Sequence, residues 1–125
     1  MGGKGRRVTA SAWGRETGVS HEGERIRRVP KAYIISDVSF KNEDAAHAYR
    51  ELAAASIEHH GGRYVVRGGE VSVLEGEWRP GMLVIAEFPS RDAAERWYRS
   101  AEYGKALAYG DAALDRNLIM VDGVP

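Results

Sequence analysis

The sequence predicts an α+β domain with the element order β-α-β-β-α-β, the ferredoxin-like arrangement of an antiparallel sheet with its helices on one face. Three observations predict it. Short runs rich in Val, Ile, Tyr and Phe recur between turn residues, as strands require. Two stretches with helical spacing of apolar residues separate them, each behind a capping residue. The chain has 125 residues and no cysteine, which allows one domain with one core and rules out a disulfide scaffold.

The elements follow in order. Ala32 to Val38 (AYIISDV) reads as the first strand. Asn42 is a helix N-cap, and Glu43 and Asp44 put negative charge in the first turn, where the helix dipole favours it. Ala45, Tyr49, Leu52, Ala53 and Ser56 recur at helical spacing, and Gly61-Gly62 ends the helix. Arg63 to Arg67 and Glu70 to Glu75 (EVSVLE) both read as strand, with Gly68-Gly69 as a bulge or break between them. Gly76 to Gly81 is a turn, and Met82 to Phe88 (MLVIAEF) the next strand. Ser90 caps a helix over Arg91 to Arg99, and Ser100 caps a second piece from Glu102 to about Leu114, so this helix is broken. Asn117 to Val121 (NLIMV) is the last strand.

The strands are apolar on both faces. Leu83 and Ile85 oppose Met82, Val84 and Phe88; Leu118 and Met120 oppose Ile119 and Val121; Tyr33 and Ile35 oppose Ile34 and Val38. Two helices cover one face only. The expectation is that an identical subunit covers the other, giving a homodimer through the sheet face.

Lys plus Arg and Asp plus Glu both number 18, so the formal net charge is zero. That balance has two unlike parts. Residues 1–30 hold seven basic and three acidic groups and six of the 15 glycines, with no periodic apolar pattern. They read as a disordered basic tail ahead of the domain at 31–125. The segment starting at Val29 also offers an alternative start, so the expectation includes an over-extended N-terminus. Residues 31–125 carry a surplus of four acidic groups and no basic stripe, which argues against nucleic acid. No apolar run approaches the ~20 residues of a membrane-spanning helix. The absence of cysteine fits a cytoplasmic location.

The segments GGRYVVRGGEVSVLEGEW (Gly61 to Trp78), VIAEFPSRDAAERWYRSAEY (Val84 to Tyr103) and LIMVDGV (Leu118 to Val124) resemble the small bacterial proteins grouped as domain of unknown function 1330. The resemblance runs in order from Pro30 to Val124. It implies a ferredoxin-like protomer that pairs into a dimeric α/β barrel, a fold similar to that of cofactor-independent monooxygenases and muconolactone isomerases. It implies no settled activity, and the 30-residue tail departs from it.

No motif of a hydrolase, dinucleotide-binding or zinc-protease site is present, and no cofactor is expected. Neither is a metal site. His59 and His60 fall at the end of the first helix, where neighbouring side chains diverge by about 100 degrees, and His47 is not at the i, i+4 spacing of a helical metal pair. Charged residues on apolar strands are more informative, because they must be paired, edge-exposed or functional. Asp37 shares a face with Tyr33 and Ile35, Glu87 with Leu83 and Ile85, and Arg67 with Val65. One reading is an ion pair such as Arg67 with Glu87. The other is a ligand pocket in which Arg67 holds a carboxylate or enolate and Glu87 or Asp37 serves as base. Trp97, Tyr98 and Tyr103 are first of all core residues, but they would also wall a cavity for a small planar acid. The functional expectation is therefore binding of a small carbonyl or aromatic acid, with cofactor-free catalysis, a non-catalytic binding module and a structural homodimer as the competing classes.

Overall fold

A computed structural model describes residues 29–125; the expectations for the preceding tail lie outside the described residues. The elements are β1 (Ala32–Phe40), α1 (Glu43–His59), β2 (Arg63–Arg67), β3 (Met82–Phe88), α2 (Arg91–Tyr98), α3 (Ala101–Ala113) and β4 (Leu114–Asp122). The strands form one antiparallel sheet in the order β2-β3-β1-β4. β1 and β2 run parallel with β3 inserted between them, which is the ferredoxin-like arrangement.

Each helix begins where a polar side chain replaces a missing backbone partner. Asn42 Oδ1 accepts from the Ala45 amide at 2.9 Å. Ser90 Oγ accepts from Ala93 at 3.1 Å, and Ser100 Oγ from Tyr103 at 3.1 Å. The last cap explains why α2 and α3 are two helices: Ser100 is extended and restarts the backbone ladder. At the end of α1, Gly61 takes a φ of +84°, the left-handed region that favours glycine. Gly62 then passes under the core, where a Cβ would lie 2.6 Å from the Phe88 ring.

The inward face of the sheet packs on the helices. Ala32, Ile34, Ala86 and Phe88 meet Ala53, Ile57, Ala93, Ala94, Trp97, Tyr103 and Ala106, all buried. The many alanines let the helix backbones lie close to the sheet, so Phe88, Trp97 and Tyr103 fill what remains. Trp97 stacks on Tyr103 with ring centroids 4.2 Å apart. Its indole N–H donates to Ser56 Oγ at 2.9 Å, and Ser56 donates on to the Ala53 carbonyl. The polar atoms of this core are thus satisfied internally. The opposite face is left more open: Ile119 is 58% exposed, Val121 43% and Val65 41%.

Three expectations are corrected. The segment Glu70 to Glu75 forms no strand. Gly68, at φ +76°, turns the chain off the line of β2, and among the described residues the segment has no strand partner. Of the two readings of Gly68-Gly69 the break holds, and a bulge lies earlier, within β2, where the register with β3 shifts between Tyr64 and Val66. β4 starts earlier than expected, because Leu114 is already extended and pairs with Phe40. His60 has left the helix: as the C-cap of α1 its φ and ψ are −99° and 17°. The divergence expected of neighbouring helical side chains therefore does not apply to His59 and His60.

Candidate functional site

A cavity opens between the inward face of the sheet and α1 and α3. Its floor is built from alternate strand residues, Ile34, Ser36 and Val38 of β1 with Val84 and Ala86 of β3. α1 adds Tyr49, Arg50, Ala53 and Ile57, and Trp97 and Tyr103 close the helical side. Tyr64 and Arg67 of β2 line it at the sheet edge. The space in which a water centre fits is about 60 Å³. One water needs about 10–15 Å³ on that measure, so the cavity suits a few waters or a ligand of a few non-hydrogen atoms.

The walls are apolar apart from a small polar set. The hydroxyls of Tyr49 and Tyr103 share a hydrogen bond of 2.8 Å. Burial pushes the Tyr49 hydroxyl well above the ordinary tyrosine value, and the adjoining Tyr103 adds to this. Tyr64 is raised too, mainly by burial, against the pull of Arg67. The Arg67 guanidinium stacks over the Tyr64 ring at 4.3 Å, and Arg50 over Phe40 at 5.1 Å. Among the described residues, no carboxylate lies within ion-pairing distance of Arg67 or Arg50. The cavity thus has two cationic groups without a carboxylate partner among the described residues, and a pair of hydrogen-bonded phenols.

The bulge in β2 decides which residues belong here. Arg63 pairs with Glu87 across the sheet, but after the shift Arg67 pairs with Val84 instead of falling on Arg63's face. One extra residue moves every later side chain to the other face. Arg67 therefore leaves the face of Val65, where strict alternation puts it, and joins the cavity. Of the other residues predicted from sequence, Trp97 and Tyr103 line the same cavity, while Tyr98 does not and is 48% exposed.

Glu87 and Asp37 stand on the opposite face, and each accepts two hydrogen bonds. Glu87 accepts from the Tyr33 hydroxyl and from Arg63 Nε, both at 2.9 Å. The Tyr33 hydrogen bond, then that of Arg63, holds its carboxyl below the usual glutamate range. An ion pair to Glu87 exists, as one reading expects, but its partner is Arg63 rather than Arg67. Asp37 accepts from Trp78 Nε1 at 3.0 Å and from the Gly81 amide at 2.8 Å, which ties the long β2–β3 connection to β1. Glu87, depressed and bonded twice, is a poor proton acceptor.

Sequence reasoning did not single out Tyr49, Tyr64 and Arg50 as site residues. Tyr49 reads as one more apolar position on the buried stripe of α1. Only the tertiary contact with Tyr103, 54 positions away, makes it half of a polar pair.

A family described as "Domain of unknown function (DUF1330)" matches residues 31–124. No curated protein matches the chain significantly. Among solved structures, it is similar to RPA0582, a protein of unknown function from Rhodopseudomonas palustris. That likeness has 22% identity and a TM-score of 0.64, over 85% of this chain and 94% of that one. SnoaB, a cofactor-independent oxygenase from Streptomyces nogalater, is similar at 11% identity and a TM-score of 0.56, over 74% of this chain and 92% of that one. A protein of unknown function from Bacteroides thetaiotaomicron, described as a possible oxidoreductase, has 15% identity and a TM-score of 0.50, over 74% and 97% of the two chains. At these identities the likenesses speak for the fold alone. Among the described residues, no helix is long and apolar enough to cross a membrane.

Proposed function

The chain belongs to the DUF1330 family, and from that premise we propose that it binds a small carbonyl-containing carboxylic acid in the cavity between sheet and helices. The observation that carries this reading is that Arg67, without a carboxylate partner among the described residues, lines the same largely apolar cavity as the Tyr49–Tyr103 hydroxyl pair. A guanidinium offers paired donors that match a carboxylate. A phenol pair offers a donor to a carbonyl oxygen some distance away. The cavity volume favours an acid of a few non-hydrogen atoms over a large aromatic one.

Binding is favoured over catalysis by the wall composition. Among the described residues lining the cavity there is no Asp, Glu or His, and phenols with raised values are weak bases near neutral pH. Catalysis in this cavity, of the cofactor-free kind, would use a Tyr hydroxyl as hydrogen-bond donor to a carbonyl oxygen, with the base brought by the substrate or by water. The exposed Ile119, Val121 and Val65 support a homodimer through the opposite sheet face, and that arrangement leaves the helix-facing cavity outside the interface.

Pyruvate and benzoate, titrated against the fluorescence of Trp97 in a Trp13→Phe, Trp78→Phe background, test the proposal. Pyruvate is expected to bind and to change the signal. Arg67→Ala is expected to weaken it about 10- to 100-fold, the loss of a charge-assisted bond of about 1.5–3 kcal/mol. Glu87→Gln is expected to leave it within about twofold, because that carboxylate faces away. Equal losses in both variants, or no response to either acid, would overturn the reading.

A further inference from the structure

The ends of α1 and α3 bring together three side chains that the cavity does not use. His59 closes α1, His60 is its C-cap and Glu102 stands in the first turn of α3. His60 Nε2 lies 3.2 Å from Glu102 Oε1, and His59 Nε2 lies 3.8 Å from Glu102 Oε2. One ligating atom from each of the three side chains lies within 4.8 Å of the others.

We propose that His59, His60 and Glu102 form a binding site for a divalent transition-metal ion of the zinc type. Bonds of about 2.0–2.1 Å in a tetrahedral site put ligand atoms about 3.3 Å apart. The His60–Glu102 separation already meets that spacing, and the His59–Glu102 separation is half an ångström longer. The convergence has a structural cause. Two successive residues inside a helix would point their rings apart, but His60 has non-helical backbone angles. The two rings consequently stand edge to face with centroids 5.0 Å apart, and both reach one carboxylate.

The donor set selects the class of ion. Two imidazoles and one carboxylate suit zinc, cobalt, nickel or copper, whereas magnesium and calcium prefer all-oxygen shells. The C-terminal carbonyls of α1 give the location a negative partial charge that favours a cation. The platform is firm, because α1 and α3 are held together by the Tyr49–Tyr103 bond and by the buried core beneath it. Two His and one Glu occupy three positions of a tetrahedron and leave the fourth to water. His60 and Glu102 also border a surface groove with Arg96 and Arg99, which gives that position access to solvent.

The test uses the full chain, free of any affinity tag and treated with chelator. Co²⁺ is titrated while its visible absorption is followed, and Zn²⁺ uptake is measured by equilibrium dialysis with metal analysis. One ion per chain is expected at metal concentrations up to about 100 μM, the range of a weak specific site. His60→Ala and Glu102→Gln are each expected to weaken binding at least about tenfold, the least that even an outer-shell change typically costs. Circular dichroism checks that both variants fold, and Glu102→Gln is a nearly isosteric surface change that keeps the test open if His60→Ala is destabilised. His47→Ala and His21→Ala serve as controls, since His47 makes its own contact with Glu51 along α1. Binding that survives both site variants, binding lost only in a control, or no uptake at these concentrations would each show that the trio is an ion pair only.

Discussion

The hydroxyl pair in the cavity makes a sharp prediction for a double-mutant cycle. Tyr49→Phe and Tyr103→Phe each delete one hydroxyl and leave ring packing unchanged. Tyr103 is wholly buried, with 0% exposure, while Tyr49 is only partly buried. Removing the Tyr49 hydroxyl therefore strands a phenol that water reaches poorly. Leaving a buried polar group unpartnered costs about 1–3 kcal/mol, and Tyr49→Phe is expected in the upper part of that range. Tyr103→Phe strands the more accessible hydroxyl and is expected in the lower part. The double variant removes both partners, leaves nothing unsatisfied and is expected near wild type. Urea unfolding followed by circular dichroism measures all four proteins, and thermal midpoints should fall by about 4–8 °C per kcal/mol in a domain of this size. The signature is strong non-additivity, with a coupling about equal to the sum of the two single losses, at or above about 3 kcal/mol. Additive losses, or Tyr103→Phe costing more than Tyr49→Phe, would mean that water serves both hydroxyls and that the two phenols do not depend on each other.

The pairing of Glu87 with Tyr33 and Arg63 predicts an acid dependence. Its carboxyl is held below the ordinary value, so its contribution is present above an unfolded-state value of about 4.3 and is lost as pH falls through the lower folded-state value. Glu87→Gln is expected to flatten the stability profile over that acid window, as seen by urea midpoints from neutral to acid pH, and an unchanged profile would contradict the assignment. Gly62→Ala is expected to lower the thermal midpoint by at least about 4 °C. Its Cβ would meet the Phe88 ring at 2.6 Å and Ile57 Cγ2 at 2.9 Å, and overpacking of this kind costs about 1–3 kcal/mol. Gly69→Ala meets nothing within 4 Å and serves as the control whose midpoint should barely move.

The three helix starts were legible because capping is local. A side chain three residues from the amide it serves is visible in sequence, and Asn42, Ser90 and Ser100 all act as read. The two-faced apolar pattern of β1, β3 and β4 was legible for the same reason, since pleating alternates strictly while no residue is inserted. Glu70 to Glu75 has a strand's pattern without a neighbouring strand among the described residues, and pattern alone cannot supply the neighbour.

The amino-acid sequence by itself determined the order of elements, their caps, the topology class and the family. It also determined that Asp37 and Glu87 share their faces with Tyr33 and Leu83. Tertiary structure decided which charges meet. The register of β2 on β3 sets Arg63 opposite Glu87, so Arg63 rather than Arg67 bonds it, and a single inserted residue further along β2 turned Arg67 toward the cavity. A single cap residue at the end of α1 turned His60 out of the helix and toward Glu102. Both outcomes have one physical cause. Face and direction are parities that accumulate along the backbone, and one local irregularity, stabilised by contacts far away in sequence, inverts everything that follows it.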